Sequence, residues 1–171
     1  MQYNPFEKTA LRRKELSKPM RELFKRDLLT GKVLDFACGH GFDVKKLSEL
    51  GLDIVGYDRY NVAFSDTQTL HKRYDVVTCN YMFNVIPDLE EHSKMIDLLR
   101  SLSDNVYITV RTDVKAIKET WRWDNVSKGY WTTRGSFQRF YDDYGDMQEW
   151  FGDVEYIIDD YSMKLFKLKE N

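Results

Sequence analysis

The sequence is poor in the features that define several protein classes. It has only two cysteines, Cys38 and Cys79, and they make no CxxC pair, so no disulfide framework or cysteine-based zinc site is encoded. The histidines His40, His71 and His92 are scattered without paired ligand spacing, and no metal is expected. No apolar run approaches the roughly 18 residues that span a bilayer. The polar stretch from Met1 to Ala10 lacks the apolar core of a signal peptide. A membrane partner is therefore not expected, and the cytoplasm is the expected compartment. Repeats and low-complexity tracts are absent. The net charge of −2 gives no bulk attraction for nucleic acid.

What is present suits one compact α/β domain. The chain has 171 residues, 42% of them hydrophobic and 32% charged, enough to bury one substantial core. Residues 1–171 read as a single unit, with 1–30 as an N-terminal helical cap and 31–171 as the core. Charge is uneven. Lys8, Arg12, Arg13, Lys14, Lys18, Arg21, Lys25 and Arg26 crowd one end, against Glu7, Glu15 and Glu22. Residues 141–160 carry eight acids and no Lys or Arg. These runs read either as solvated helix faces or as a basic lip that attracts an anionic acceptor.

The cap reads as a helix from Phe6 to Leu16, a break at Pro19, and a second helix from Met20 to Leu29. Lys32 to Ala37 is then a short apolar run, followed by Cys38-Gly39-His40-Gly41, a helical stretch from Phe42 to Leu50, and a second apolar run from Asp53 to Asp58. Strand, glycine turn, helix, strand is a βαβ unit. Tyr74 to Cys79 and Asn105 to Arg111 are further strands, with an amphipathic helix from Pro87 to Leu102 between them. Val154 to Ile158 and Ser162 to Leu168, joined by Asp159-Asp160-Tyr161, read as an antiparallel hairpin. A mostly parallel sheet closed by such a hairpin resembles the Rossmann-like class I methyltransferase fold.

One expected strand is missing. Asp58 and Asp75 are too close in sequence for a helix, a strand and two loops, which need about twice the space. The interval includes Ser65-Asp66-Thr67-Gln68-Thr69, poor strand material. The third strand and its helix are expected to be absent or reduced to a loop. The second strand is then a sheet edge, guarded by Arg59 or Lys72, and Tyr60, Val62 or Phe64 lies against an adenine ring.

The glycine turn carries the chemistry. Val33 to Asp43 looks like the methyltransferase motif for S-adenosylmethionine (SAM), an acid followed by small residues and glycines. Ala37, Cys38, Gly39 and Gly41 are candidate cofactor contacts, because glycine admits positive φ and close backbone approach. The helix starting at Phe42 offers free N–H groups to an anionic group. Asp35 can favour the cationic end of the same ligand. Asp58 follows Asp35 by 23 residues and ends the adjacent strand, so it faces the same crevice and can accept both ribose hydroxyls. Arg59 and Tyr60 flank it. A dinucleotide enzyme uses the same geometry, but its G-x-G-x-x-G fingerprint needs glycine where Val44 stands.

Asn80 and Tyr81 follow the third apolar run and are the candidate catalytic pair. The stretch Asn80-Tyr81-Met82-Phe83 lacks both prolines of the D/N-P-P-Y/F loop usual in DNA amino-methyltransferases. Asn80 alternatively serves as an Asx cap, and Asn84 and Pro87-Asp88 as the start of the next helix. Phe83 to Asp88, Ile108 to Arg111 and Thr132 to Tyr141 resemble the DNA phosphorothioation-associated methyltransferase family. Lys8, Ala10, Arg13, Ser17 and Pro19 echo its N-terminal pattern. The resemblance implies a SAM-dependent enzyme, with Lys8, Arg12 or Arg13 near the cofactor carboxylate, and leaves the acceptor open between a small molecule and a nucleic-acid base.

The segment from Thr132 to Tyr141 is expected to be a mobile connector beside the acceptor, with Gly129 and Gly135 as hinges. Arg134, Gln138 and Arg139 supply polar reach, and Arg134 and Gln138 are the candidate substrate contacts. Trp121, Trp123, Tyr130, Trp131, Phe137 and Phe140 supply flat surfaces for a planar acceptor or, equally, a small core. No general base stands out, although Tyr81, His40 and Gln138 are placed to assist. Alignment alone can supply much of the rate of methyl transfer. The rival to an enzyme is a non-catalytic SAM-binding module that supports a partner protein. An open funnel beside Asn80 would favour the enzyme, and a fully covered pocket the module. Oligomeric state is not encoded legibly.

Overall fold

The computed structural model describes residues 12–169. The central sheet has six strands: β1 (Lys32–Phe36), β2 (Asp53–Tyr57), β3 (Val76–Asn80), β4 (Val106–Arg111), β8 (Val154–Asp159) and β9 (Met163–Leu168). Their order is β2-β1-β3-β4-β9-β8. The first four run parallel, while β9 is antiparallel to β4 and to β8. The strands are apolar at both odd and even positions, so both faces of the sheet are buried. Met20 and Leu23 of α1 (Lys18–Lys25) and Val44 and Leu47 of α2 (Phe42–Glu49) pack on the face of Val33, Val76 and Leu165. Leu99 and Leu102 of α3 (Leu89–Leu102) and Met147 and Phe151 of α4 (Tyr144–Phe151) pack on the face of Leu34, Val77 and Ile108.

The N-terminus differs from the expectation. Part of the expected Phe6 to Leu16 helix lies outside the described residues, and residues 12–17 are not helical. Pro19 does not break a helix but opens α1, where its missing N–H costs nothing, with the Ser17 hydroxyl accepting from the Met20 N–H at 3.4 Å. The helix ends at Lys25, not Leu29, and Asp27 turns the chain at φ 54°.

The interval after β2 holds no strand. Two 3₁₀ turns, Val62–Phe64 and Thr67–His71, bridge to β3, and β2 is a sheet edge. Arg59 does not guard that edge; it pairs with Glu91 of α3 at 2.9 Å. Phe64 lies over two glycines: a Cβ on Gly41 would come within 2.2 Å of its ring, and one on Gly56 within 3.0 Å.

The stretch expected to be a mobile connector forms a second antiparallel sheet of β5 (Arg122–Asp124), β6 (Gly129–Trp131) and β7 (Phe137–Gln138). Gly129 is no hinge but makes room for the Phe137 ring, 2.3 Å from where its Cβ would sit. Trp131, Phe137 and Phe140 are buried core, while Trp123 is 49% exposed. Arg139 has no outward reach. It is buried, donates to the carbonyls of Ser127 (2.5 Å) and Lys128 (3.4 Å) and to the Tyr141 hydroxyl (3.2 Å), and lies 4.5 Å from the Trp150 ring centre. Asn84 does not start α3. Its side chain is buried, donates to the Arg139 carbonyl (2.5 Å) and accepts from the Arg111 N–H (2.9 Å), tying the small sheet to β4. Asp88 caps α3 instead.

Candidate cofactor and acceptor site

The C-terminal ends of β1, β2, β3 and β4 open into one cavity of about 1230 Å³. This is larger than the roughly 300–1,000 Å³ of an ordinary single-ligand site. Its floor at β1 and β2 is built as one unit. The Gly39 N–H donates to Asp58 Oδ2 at 2.8 Å, the Tyr60 N–H to Asp58 Oδ1 at 2.9 Å, and the Asn61 amide to the Gly39 carbonyl at 2.8 Å. Asn61 was not anticipated; it follows Asp58 by three residues, and only the fold brings it back to the glycine turn. Ala37 and Gly39 both have positive φ, 59° in each case. Ala37, Cys38, Gly39, Asp58, Arg59 and Tyr60 all line the cavity. Gly41 does not line it; its φ of 70° and the Phe64 ring account for the glycine.

Asp35 is buried at the back of this floor and accepts from the Thr78 hydroxyl at 2.9 Å. Burial, with the Asp43 carboxylate nearby, pushes its pKa up to about 7. The Thr78 bond and the Arg13 charge offset this only in part. The Cys38 thiol is also pushed up, by burial and then by Asp35 and Asp58, so it stays protonated. Cys79 is a second free, buried thiol.

Asn80 and Tyr81 sit between the two halves of the cavity. Asn80 Oδ1 accepts from the Thr109 hydroxyl at 2.8 Å, and its amide nitrogen has no partner among the described residues. Tyr81 adopts φ 62°, a strained conformation of the kind that collects at functional sites. Its hydroxyl donates to the Met163 sulfur at 3.3 Å. Burial raises its pKa, opposed by the nearby Arg13 and Arg111, so the phenol keeps its proton.

Beyond Tyr81 the wall is formed by β4 and the small sheet. Arg111 makes a two-pronged contact with Asp113 (2.9 and 2.8 Å), lies 5.2 Å from the Phe140 ring centre, and reaches Gln138 Oε1 at 3.4 Å. Neither Arg111 nor Asp113 was singled out from sequence as a site residue, although a strand end in a parallel sheet is where such residues gather. Arg134 and Gln138 line the same wall, and exposed His40 lies at the glycine turn.

Part of the N-terminal segment lines the cavity. The Ser17 N–H donates to Asp43 at 2.8 Å, Lys18 pairs with Asp160 at 2.5 Å, and Arg13 and Ser17 line the cavity. Lys8 lies outside the described residues. Among the described residues no cluster fits a metal ion, and no helix is long and apolar enough to cross a membrane.

A cationic, ribose-bearing ligand fits this floor: a buried carboxylate only partly offset by its neighbours, a second carboxylate at the next strand end, and close-approach backbone between them. Similarity to known proteins points the same way. The 1,6-didemethyltoxoflavin-N1-methyltransferase of Burkholderia thailandensis superposes with TM-score 0.59 at 11% identity, over 89% of this chain and 77% of that one. A SAM-dependent methyltransferase from Bacteroides fragilis, bound to S-adenosylhomocysteine (SAH), gives 0.58 at 14% identity, over 92% and 80%. The magnesium protoporphyrin IX methyltransferase of Synechocystis PCC 6803, bound to SAM, gives 0.52 at 15% identity, over 89% and 76%. No curated protein sequence matches. The family described as Methyltransferase domain matches residues 9–155. The chain therefore belongs to the methyltransferase domain family and has its Rossmann-like, SAM-dependent class I fold.

Proposed function

We propose that the chain methylates an acceptor held on the β4 side of the cavity, with SAM held on the β1 and β2 side. The observation that carries this reading is the continuity of one cavity from Asp58 past Asn80 and Tyr81 to Gln138. A module that only stores SAM has no use for the second half. When bound, SAM supplies a methyl carbon activated by a sulfonium. Asp58 accepts the ribose hydroxyls, Asp35 favours the cationic methionyl end, and Ala37, Cys38 and Gly39 line the cofactor with backbone. Arg59 and Tyr60 flank the adenine side. Arg13, with Lys8, meets the carboxylate. Asn80 and Tyr81 stand at the junction and orient the reactants, and Arg134 and Gln138 face the acceptor.

Among the described residues, none in the acceptor half is free to act as a strong base. Asp113 is held by Arg111, and Tyr81 stays protonated. The chain's contribution is alignment and exclusion of water, which suffices when the acceptor atom is already nucleophilic. The finer kinship with the phosphorothioation-associated family gains support from where its stretches lie. Asn84, Arg111, Arg134 and Gln138, one or two from each, converge on the acceptor half. Residues 1–171 act in this reading as one unit, with 1–30 capping the 31–171 core, in a reducing cytoplasm that suits two free thiols.

The test is calorimetry with SAH, followed by transfer from methyl-labelled SAM. Micromolar SAH affinity, about −8 kcal/mol, is expected. Absence of both heat and thermal stabilisation would overturn the reading.

A further inference from the structure

Four arginines line the cavity, and three of them have work to do. Arg59 is paired with Glu91 and lies 5.4 Å from the Tyr60 ring centre. Arg111 is neutralised by Asp113. Arg13 lines the cavity with Ser17, whose N–H bonds to Asp43, and its charge acts on Asp35. Arg134 alone has neither an assigned role on the cofactor side nor a carboxylate partner among the described residues.

Its position is built. The turn between β6 and β7 closes through the Thr132 N–H to the Ser136 carbonyl (2.8 Å), the Gly135 N–H to the Thr132 carbonyl (3.0 Å), and the Thr132 and Ser136 hydroxyls (2.9 Å apart). Gly135 takes φ 79°, which a side chain would resist. Gln138, two strand positions past Ser136, has its oxygen turned to Arg111, so its amide nitrogen remains a donor. The acceptor half thus offers an exposed guanidinium, an amide donor and the hydroxyl of Ser136, and no uncompensated acid.

Resting on the proposed methyl transfer, we infer that the acceptor is a small acid whose carboxylate is bound by Arg134, with Gln138 as the second donor. A guanidinium matches a carboxylate with two parallel N–H bonds. Nucleic acid fits worse. Its backbone needs a track of cations, and residues 141–160 instead carry eight acids and no Lys or Arg. Asp142, Asp159 and Asp160 of that run line the depression next to Asp113.

The test uses benzoate and benzamide, flat molecules of equal size that differ in charge, titrated into SAH-saturated protein while the Arg134 side-chain resonance is followed. Benzoate should bind about tenfold more tightly than benzamide, shift that resonance, and lose its advantage in Arg134→Gln. SAH affinity should be unchanged in the variant. Equal binding of the two probes, no binding of either, or a benzoate preference that survives Arg134→Gln would overturn the inference. So would a single-stranded oligonucleotide that displaces benzoate. SAH calorimetry on the same samples reports separately on the cofactor site, so failure of the acid site and failure of the methyltransferase reading are distinguishable.

Discussion

If Asp35 faces the cofactor as proposed, cofactor binding should depend on pH. Its carboxyl sits at about 7 in the fold against 3.8 for the ordinary group. Between those values the folded chain holds a proton that the unfolded chain has lost. Stability of the free protein therefore falls as pH rises through this window, by a few kcal/mol, and levels off above about 7. A cationic ligand beside Asp35 reverses the preference. The methionyl ammonium is common to SAM and SAH, so both should gain affinity as pH rises from about 5 to 8, with proton release on binding. Calorimetry in two buffers of different ionisation enthalpy measures that release. Asp35→Asn should abolish both effects, and SAH affinity that stays flat with pH would show that Asp35 does not face the charge. For Asp58, the substitution to Asn keeps one acceptor oxygen for the loop N–H groups. It sets an amide N–H against the other loop N–H, so it should weaken SAH binding by about 1.5–3 kcal/mol and also lower the melting temperature modestly. Both acids were legible because Asp35 lies in a short apolar run just before the glycine turn, Asp58 ends the next one, and parallel strands align those ends. Asn61 and Asn84 were not, because each acquires its partner from another element; Asp113 was missed although its partner Arg111 stands only two residues before it. Arg139 was misread for a related reason: nothing local signals that an arginine will be caged by Phe137, Tyr141 and Trp150.

At the scale of elements, the spacing argument succeeded where it rested on length. The residues between Asp58 and Tyr74 are too few for a crossover helix and strand, and two 3₁₀ turns stand there. It failed where elements are very short. Strands β5, β6 and β7 have three, three and two residues, too few for an alternating pattern to be recognised. Pro19 was read as a break because proline punctuates helices in two ways, and only the Ser17 cap decides between them. The reduced crossover makes its own prediction. Gly41→Ala places a methyl into the Phe64 ring and strains φ, so it should destabilise by about 2 kcal/mol or more in urea unfolding. Gly41→Ala combined with Phe64→Ala should cost less than the sum of the two single changes, because the clash is then removed. Additive costs would mean that φ alone requires the glycine.

Across the whole molecule, the two sheets are joined by polar clips rather than by a shared apolar core. Asn84 bonds to Arg111 and Arg139, and Arg139 bonds to the turn before β6 and to Tyr141. Tyr141 in turn donates to the Phe83 carbonyl at 3.1 Å and lies 3.0 Å from His92 Nε2. Burial and the Arg139 charge lower the His92 pKa to about 3, so the ring stays neutral and the cluster keeps one charge at all ordinary pH. Arg139→Met leaves the Ser127 and Lys128 carbonyls without their donor. It should destabilise the protein by about 2–4 kcal/mol, measured by urea unfolding. SAH affinity should survive, because the floor at β1 and β2 shares no bond with the clip. A parallel loss of SAH binding would mean that the two halves of the cavity are not independent.

The missing third strand also bears on how the chain reaches this fold. Val33 of β1 pairs with Ile54 of β2 and with Val76 of β3, so all three strands come from one short span of sequence. The penalty for closing a loop grows with the logarithm of its length, about 0.6 kcal/mol per doubling. β4 then adds to β3, where Val106 pairs with Val77, whereas β9, whose Leu165 pairs with Thr109 of β4, closes across a much longer loop. Folding is then expected to run from the cofactor side toward the acceptor side. Pulse-labelled hydrogen exchange should show the amides of β1 to β3 protected before those of β8 and β9. A chain emerging from the ribosome would assemble its SAM-binding half while the residues that close the sheet are still being made.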